Sequence, residues 1–85
     1  MIHYLSSQLR QLIKEFPGLK IKCGWSKGSN EKLMVVELSD FSNKQLDEKW
    51  IPISIYCKQN YTEDIIFTDM KKRQYLKIDD LLLKL

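Results

Sequence analysis

The fold of this chain is decided by residues 19–38, which read LKIKCGWSKGSNEKLMVVEL. Apolar side chains occupy every second position of its first part: Leu19, Ile21, Cys23 and Trp25. This period of two is typical of a strand with one buried face. Residues 33–38 are apolar on both faces, as expected of a central strand, and the polar residues 26–30 between the two parts have the composition of a turn. The stretch therefore predicts a β-hairpin.

The composition is that of one small folded domain. Hydrophobic residues make up 44% of the 85 residues, enough for a core, and the 29% that are charged favour solubility. We therefore predict a single domain over residues 1–85. The net charge of +3 comes from 14 basic and 11 acidic groups, and this mixture does not indicate nucleic-acid binding by itself.

Residues 2–16 predict an amphipathic helix. Their apolar residues recur at steps of three and four: Ile2, Leu5, Leu9, Leu12, Ile13 and Phe16. Pro17 disfavours helical geometry at the residue before it, and Gly18 readily adopts the left-handed conformation that ends helices. We expect the apolar stripe of this helix to pack on the hairpin.

Two further helical pieces are predicted at residues 43–49 and 79–85. Ser42 and Gln45 have the spacing of a capping box, with Ser42 as the N-cap. Asp79 can cap the second piece in the same way. Residues 65–68 are strongly β-prone, and residues 74–78 are expected to return as a paired strand.

Residues 50–61 fit two interpretations. As a strand, they place alternate residues on one face: Ile51, Ile53, Ile55 and Cys57. As a helix, they accept Pro52 in the first turn and form a stripe that includes Ile53 and Cys57. The isoleucines favour the strand, and the helix remains the alternative. Together the elements predict an α+β fold, in which the N-terminal amphipathic helix packs on a small antiparallel sheet built around the hairpin at 19–38, with short additional helices.

The sequence contains no recognisable catalytic or metal-binding motif. Cys23 and Cys57 are 34 positions apart and form neither a CxxC pair nor a Cys/His cluster, so we predict two buried free thiols. His3, the single histidine, has no acidic or nucleophilic neighbour in sequence. We therefore predict no enzyme activity, no catalytic residues, no cofactor and no metal site. No apolar run approaches the length of a membrane span, and we predict a cytoplasmic protein without membrane contact.

Surface recognition is the function class that remains. The aromatic residues Trp50, Tyr56 and Tyr61 predict a protein-interaction module, an inhibitor, adaptor or accessory subunit, which binds another protein or forms a homo-oligomer through an aromatic or sheet-edge surface. The alternative is a nucleic-acid-binding accessory protein that uses a basic turn at 71–73. Its candidate residues are Lys71, Lys72, Arg73 and Lys77.

Overall fold

The structure, a computed structural model, describes residues 1–28, 32–72 and 77–85. Within these residues the chain forms two helices and four strands in this order: α1 (Ile2–Glu15), β1 (Ile21–Lys27), β2 (Lys32–Leu38), α2 (Lys44–Asn60), β3 (Asp64–Asp69) and β4 (Asp80–Lys84). The α+β class is therefore confirmed. The strand predicted at 65–68 is also confirmed, as β3.

The four strands form one mixed sheet in the order β3-β2-β1-β4. β1 pairs antiparallel with β2, with Cys23 opposite Val36, which confirms the predicted hairpin. β4 pairs antiparallel with the other side of β1, whereas β3 runs parallel to β2. The sheet is thus mixed and not wholly antiparallel, because the connection between β2 and β3 passes through α2 and returns the chain in its original direction.

One face of the sheet carries the hydrophobic core. Its buried side chains come from three strands: Ile21, Cys23, Met34, Val36, Leu38, Ile65 and Phe67. The two helices add a second set to the same cluster: Leu5, Leu9 and Leu12 from α1, and Leu46, Ile53 and Cys57 from α2. None of these side chains is more than 7% exposed. The amphipathic N-terminal helix therefore packs on the sheet as predicted.

Residues 50–60 belong to α2 and Tyr61 is its C-cap, so the favoured strand interpretation was wrong and the helical alternative was correct. α2 also absorbs the short helix predicted at 43–49, and its N-cap is Asn43, not Ser42. The Asn43 side-chain oxygen accepts hydrogen bonds from the backbone N–H groups of Gln45 and Leu46 at 3.0 and 3.3 Å. Pro52 lies inside the helix and removes one backbone donor, but it is exposed, so water can reach the carbonyl left without a partner.

The helix predicted at 79–85 was also wrong, because this segment forms strand β4. β1 has a second edge to pair, and the bonds along that edge hold the segment extended. Asp79 does not cap a helix: its N–H donates to the Trp25 carbonyl at 2.8 Å, and its carboxylate accepts from the Lys27 N–H at 2.6 Å. Of the predicted strand 74–78, residues 74–76 lie outside the described residues, and Lys77 and Ile78 belong to no strand.

Gly24 is the position that lets β4 approach β1 closely. It alternates with Cys23 and so faces away from the helices, at a point where the register between the two strands shifts. A Cβ atom at Gly24 would collide with the carbonyl oxygen of Asp80 and with the Ile78 side chain, and would lie 2.9 Å from the Cα atom of Leu81. The Asp80 oxygen and the Leu81 Cα atom belong to the backbone and cannot turn aside. A larger residue at position 24 would therefore force the strands apart.

We expect Gly24→Ala to lower the free energy of unfolding by about 3 kcal/mol, since the added methyl group overpacks a site bounded by backbone atoms. The control is Gly18→Ala. Gly18 has a φ of 91° but open space around it, so an alanine there meets only backbone strain and should cost about 1 kcal/mol. Urea denaturation of both variants measures the difference, and equal losses would contradict the close approach described for Gly24.

Candidate protein-interaction surface

Trp50, one of the three predicted contact residues, is half-buried between the core and the surface. Its ring stacks on Phe41 and Phe67, with centroid separations of 5.4 and 5.0 Å. Its indole N–H donates to a carboxylate oxygen of Asp47 at 2.8 Å. These contacts give Trp50 a structural role in holding α2 against β3, and its part in binding a partner stays a prediction.

The other two predicted residues, Tyr56 and Tyr61, form an aromatic group with Tyr4 of α1. The rings of Tyr4 and Tyr56 stack with their centroids 4.2 Å apart, and Tyr61 meets Tyr56 edge-on at 6.3 Å. The pKa of Tyr4 is raised, mainly by burial and next by the nearby Cys57 thiol. Tyr56 is 42% exposed, so this group joins the two helices and also reaches the surface. Tyr4 was missed because it lies outside the apolar stripe of α1.

The outward side of α2 carries an apolar surface, which we call the α2 outer patch and define by Ile51, Pro52, Ile55 and Tyr56. Ile51 and Ile55 are 43% and 49% exposed, and Pro52 is exposed as well. The four residues form two neighbouring pairs with a spacing of four, so they adjoin one another on one side of the helix. Exposed polar residues border the patch along the helix: Glu48, Lys49, Lys58 and Gln59.

Sequence reasoning missed Ile51 and Ile55 because the strand interpretation placed them inside. In a strand these two isoleucines share a face with Ile53 and Cys57. In a helix the four residues separate, and the structure buries Ile53 and Cys57 while it leaves Ile51 and Ile55 exposed. The signal that could have found them is the helical period of 100° per residue, which sends these two pairs to different sides.

The described members of the predicted basic site lie in two separate places. Lys71 and Lys72 are exposed in the turn after β3, and their N–H groups donate to the side chain and carbonyl of Asp69 at 2.9 and 3.1 Å. This turn lies beside the end of β2, whereas Lys77 lies two residues before Asp79 at the opposite end of the sheet. Arg73 lies outside the described residues. Nucleic-acid binding at these residues stays a prediction.

The two thiols have the properties of core residues. Cys23 and Cys57 are free and buried, and the Cys23 thiol donates to the Met34 sulfur at 3.4 Å. Burial raises the pKa of Cys23 to about 12 and also raises the pKa of Cys57. Because the thiolate is the reactive form, neither side chain is suited to act as a nucleophile near neutral pH.

Other features of the described residues supply little chemistry. A groove of about 320 Å³ lies between the end of α1 and the start of α2, lined by Phe16, Leu19 and Leu46 together with the acidic Glu15 and Asp40. No three histidine, cysteine or acidic side chains among residues 1–28, 32–72 and 77–85 come together as a metal site. Among the described residues, the large exposed apolar side chains are those of the α2 outer patch and of Ile66, Leu81 and Leu82 in the strands.

The sequence matches no protein-family model, and no curated protein or solved structure is significantly similar to it. In the part of the chain that the structure describes, neither helix has the length and apolar character needed to cross a membrane.

We expect the free energy of unfolding to fall as the pH rises above about 9, the ordinary pKa of the thiol. The pKa of Cys23 is higher in the folded state, so its stabilising contribution is complete below pH 9 and is lost as the pH rises toward about 12. The slope from one such thiol is about 1.4 kcal/mol per pH unit. Urea denaturation at pH 8 to 11 measures it. Cys23→Val, which keeps an apolar side chain in the strand, should show a shallower slope, and an unchanged slope would contradict the assignment.

Proposed function

We propose that this chain is a small non-enzymatic protein-interaction module whose contact surface is the α2 outer patch. The observation that carries the proposal is the exposure of Ile51 and Ile55 beside Pro52 and Tyr56 on one side of a helix. Contiguous exposed apolar residues with a polar border are the typical anatomy of a protein-binding site.

Folding alone does not account for these side chains. Ile51 and Ile55 are too exposed to contribute fully to the core, and β-branched residues are weaker helix formers than alanine or leucine. Pro52 lowers helix stability more, since a proline in a helix interior destabilises the helix by about 3 kcal/mol. A partner that covers the patch would supply the burial that the chain itself does not give to these residues.

The partner expected here is a protein with an apolar groove. A helix usually docks into such a groove through residues spaced three and four apart, and Ile51 and Ile55 have this spacing. Tyr56 adds a partly exposed aromatic ring that Tyr4 already holds in place by stacking, so less conformational entropy is lost on binding. We expect the module to act in the cytoplasm, which the free thiols of Cys23 and Cys57 support.

Replacing Ile51 and Ile55 together by serine should weaken partner binding by about 2 kcal/mol or more, roughly 30-fold, because the apolar centre of the contact is lost. Serine and isoleucine have similar helix propensities, so the fold should be retained. A photo-crosslinking residue at position 55 identifies the partner, and calorimetry with the purified proteins gives the affinity. The matched control, Glu48→Ser with Gln59→Ser, changes only the border and should bind nearly normally. Equal affinities for both double variants would refute the proposal.

The nucleic-acid alternative is tested by changing Lys71, Lys72 and Arg73 together to alanine. Our proposal expects partner affinity to stay within about threefold of the original, because charges outside the apolar centre mainly affect association rates. If the alternative holds, the same variant weakens nucleic-acid binding and flattens its salt dependence by about two to three counterions. Filter binding at several salt concentrations, before and after nuclease treatment of the protein, distinguishes the two results.

A further inference from the structure

The groove between the end of α1 and the start of α2 combines an apolar floor with an acidic rim. Its volume is about 320 Å³, near the lower end of the range for ligand pockets. Its apolar surface comes from Phe16, Leu19 and Leu46, of which Leu46 is fully buried and Leu19 is 7% exposed. A space of this size suits one long side chain better than a larger molecule.

Hydrogen bonds hold the walls of the groove in place. The N–H of Phe16 donates to the Leu12 carbonyl at 2.9 Å, and the N–H of Leu19 donates to the Phe16 carbonyl at 3.1 Å. On the other wall, the Asn43 side-chain oxygen caps α2, and its amide nitrogen donates to the Asp40 carboxylate at 3.3 Å. The groove is therefore formed before a ligand arrives, which lowers the entropy lost on binding.

The charge of the groove is negative, although the whole chain has a net charge of +3. Glu15 and Asp40 line the groove, and none of its lining residues, all of which belong to the described part of the chain, is basic. The two helix ends offset each other, since α1 contributes its negative C-terminal end and α2 its positive N-terminal end. The two carboxylates therefore set the sign of the charge, and they favour a cation.

Among cationic side chains, arginine matches this groove best. Its methylene groups need an apolar surface, which Phe16 and Leu46 supply. Glu15 ends α1 and Asp40 precedes α2, so the two carboxylates belong to opposite walls. A guanidinium has five N–H donors in a planar fork and can donate to two carboxylates at once. A lysine ammonium is more strongly hydrated, so it loses more on leaving water.

We propose that this groove receives the side chain of an arginine from a partner protein, with the guanidinium between Glu15 and Asp40. Pockets that hold one side chain each give specificity in the recognition of extended peptide segments. The groove reaches α2 through Leu46, on the buried side of the helix, whereas the α2 outer patch lies on the outward side. The proposal thus rests on different residues from the function proposed for that patch, and neither depends on the other.

A capped pentapeptide of alanines with a central arginine is the probe, and the same peptide with citrulline is its uncharged match. NMR titration of the isotopically labelled chain gives the dissociation constants and locates the site from shifts of backbone N–H signals. The arginine peptide should shift the signals of Gly18, Leu19 and Leu46. The citrulline peptide should bind at least about tenfold more weakly, because the charge-assisted hydrogen bonds are lost. A lysine peptide should also bind more weakly than the arginine peptide.

Glu15→Gln combined with Asp40→Asn removes both charges from the groove and nearly keeps the shape of the side chains. Asparagine at position 40 retains an oxygen that can accept the hydrogen bond from Asn43. This double variant should bind the arginine peptide about tenfold more weakly or worse. The matched control, Glu63→Gln with Asp64→Asn, removes two exposed charges at the other end of β2 from Asp40 and should bind normally.

Circular dichroism checks that both double variants fold. An arginine peptide that leaves the groove signals unchanged at millimolar concentration would overturn the proposal, as would shifts confined to the α2 outer patch. Equal affinities for the arginine peptide and either the citrulline or the lysine peptide would also overturn it. So would equal losses of affinity in the two double variants, because the effect would then come from the overall charge of the chain.

Discussion

The structure depends on covering the apolar face of a four-stranded sheet. Strands are spaced about 4.8 Å apart, so four of them form a surface roughly 20 Å wide, about twice the diameter of one helix. α1 alone cannot cover that width, and the face would remain wet above β2 and β3. α2 supplies the missing cover through Leu46, Ile53 and Cys57. This requirement explains why a segment with several β-branched residues and an internal proline is nevertheless a helix.

The same requirement separates what the sequence could predict from what it could not. α1, the β1–β2 hairpin and β3 have local patterns that allow one interpretation each, and the structure bears them out. Residues 50–61 fit both a period of two and a period of 3.6, and only the uncovered face of the sheet decides between them. Residues 79–85 have a local cap and short apolar run, but the free edge of β1 offers backbone bonds that outweigh this local preference. Both errors arose where distant residues determined the structure.

The candidate site follows from the same choice between helix and strand. Aromatic residues were the natural contact candidates, but the core and α1 engage much of their surface: Trp50 stacks on Phe41 and Phe67, and Tyr56 stacks on Tyr4. Once residues 50–60 are helical, Ile51 and Ile55 turn outward and are 43% and 49% exposed. Tyr56 alone belongs both to the sequence-based selection and to the α2 outer patch. Residue type alone therefore could not locate a binding surface on this segment. The helical period had to be known first.

β1 connects this arrangement to the edge of the sheet. It is paired on both sides, and the absence of a side chain at Gly24 allows Asp80 and Leu81 to come close on one of them. That approach adds β4 at the edge of the sheet, where the side chains of Leu81 and Leu82 are 50% and 38% exposed. Edge strands are normally protected by charge, and the aspartates at both ends of β3 provide such protection. The register of β4 shifts between its contacts with Cys23 and Gly24, and such an irregularity is a second way in which an edge strand is kept from regular pairing with another chain.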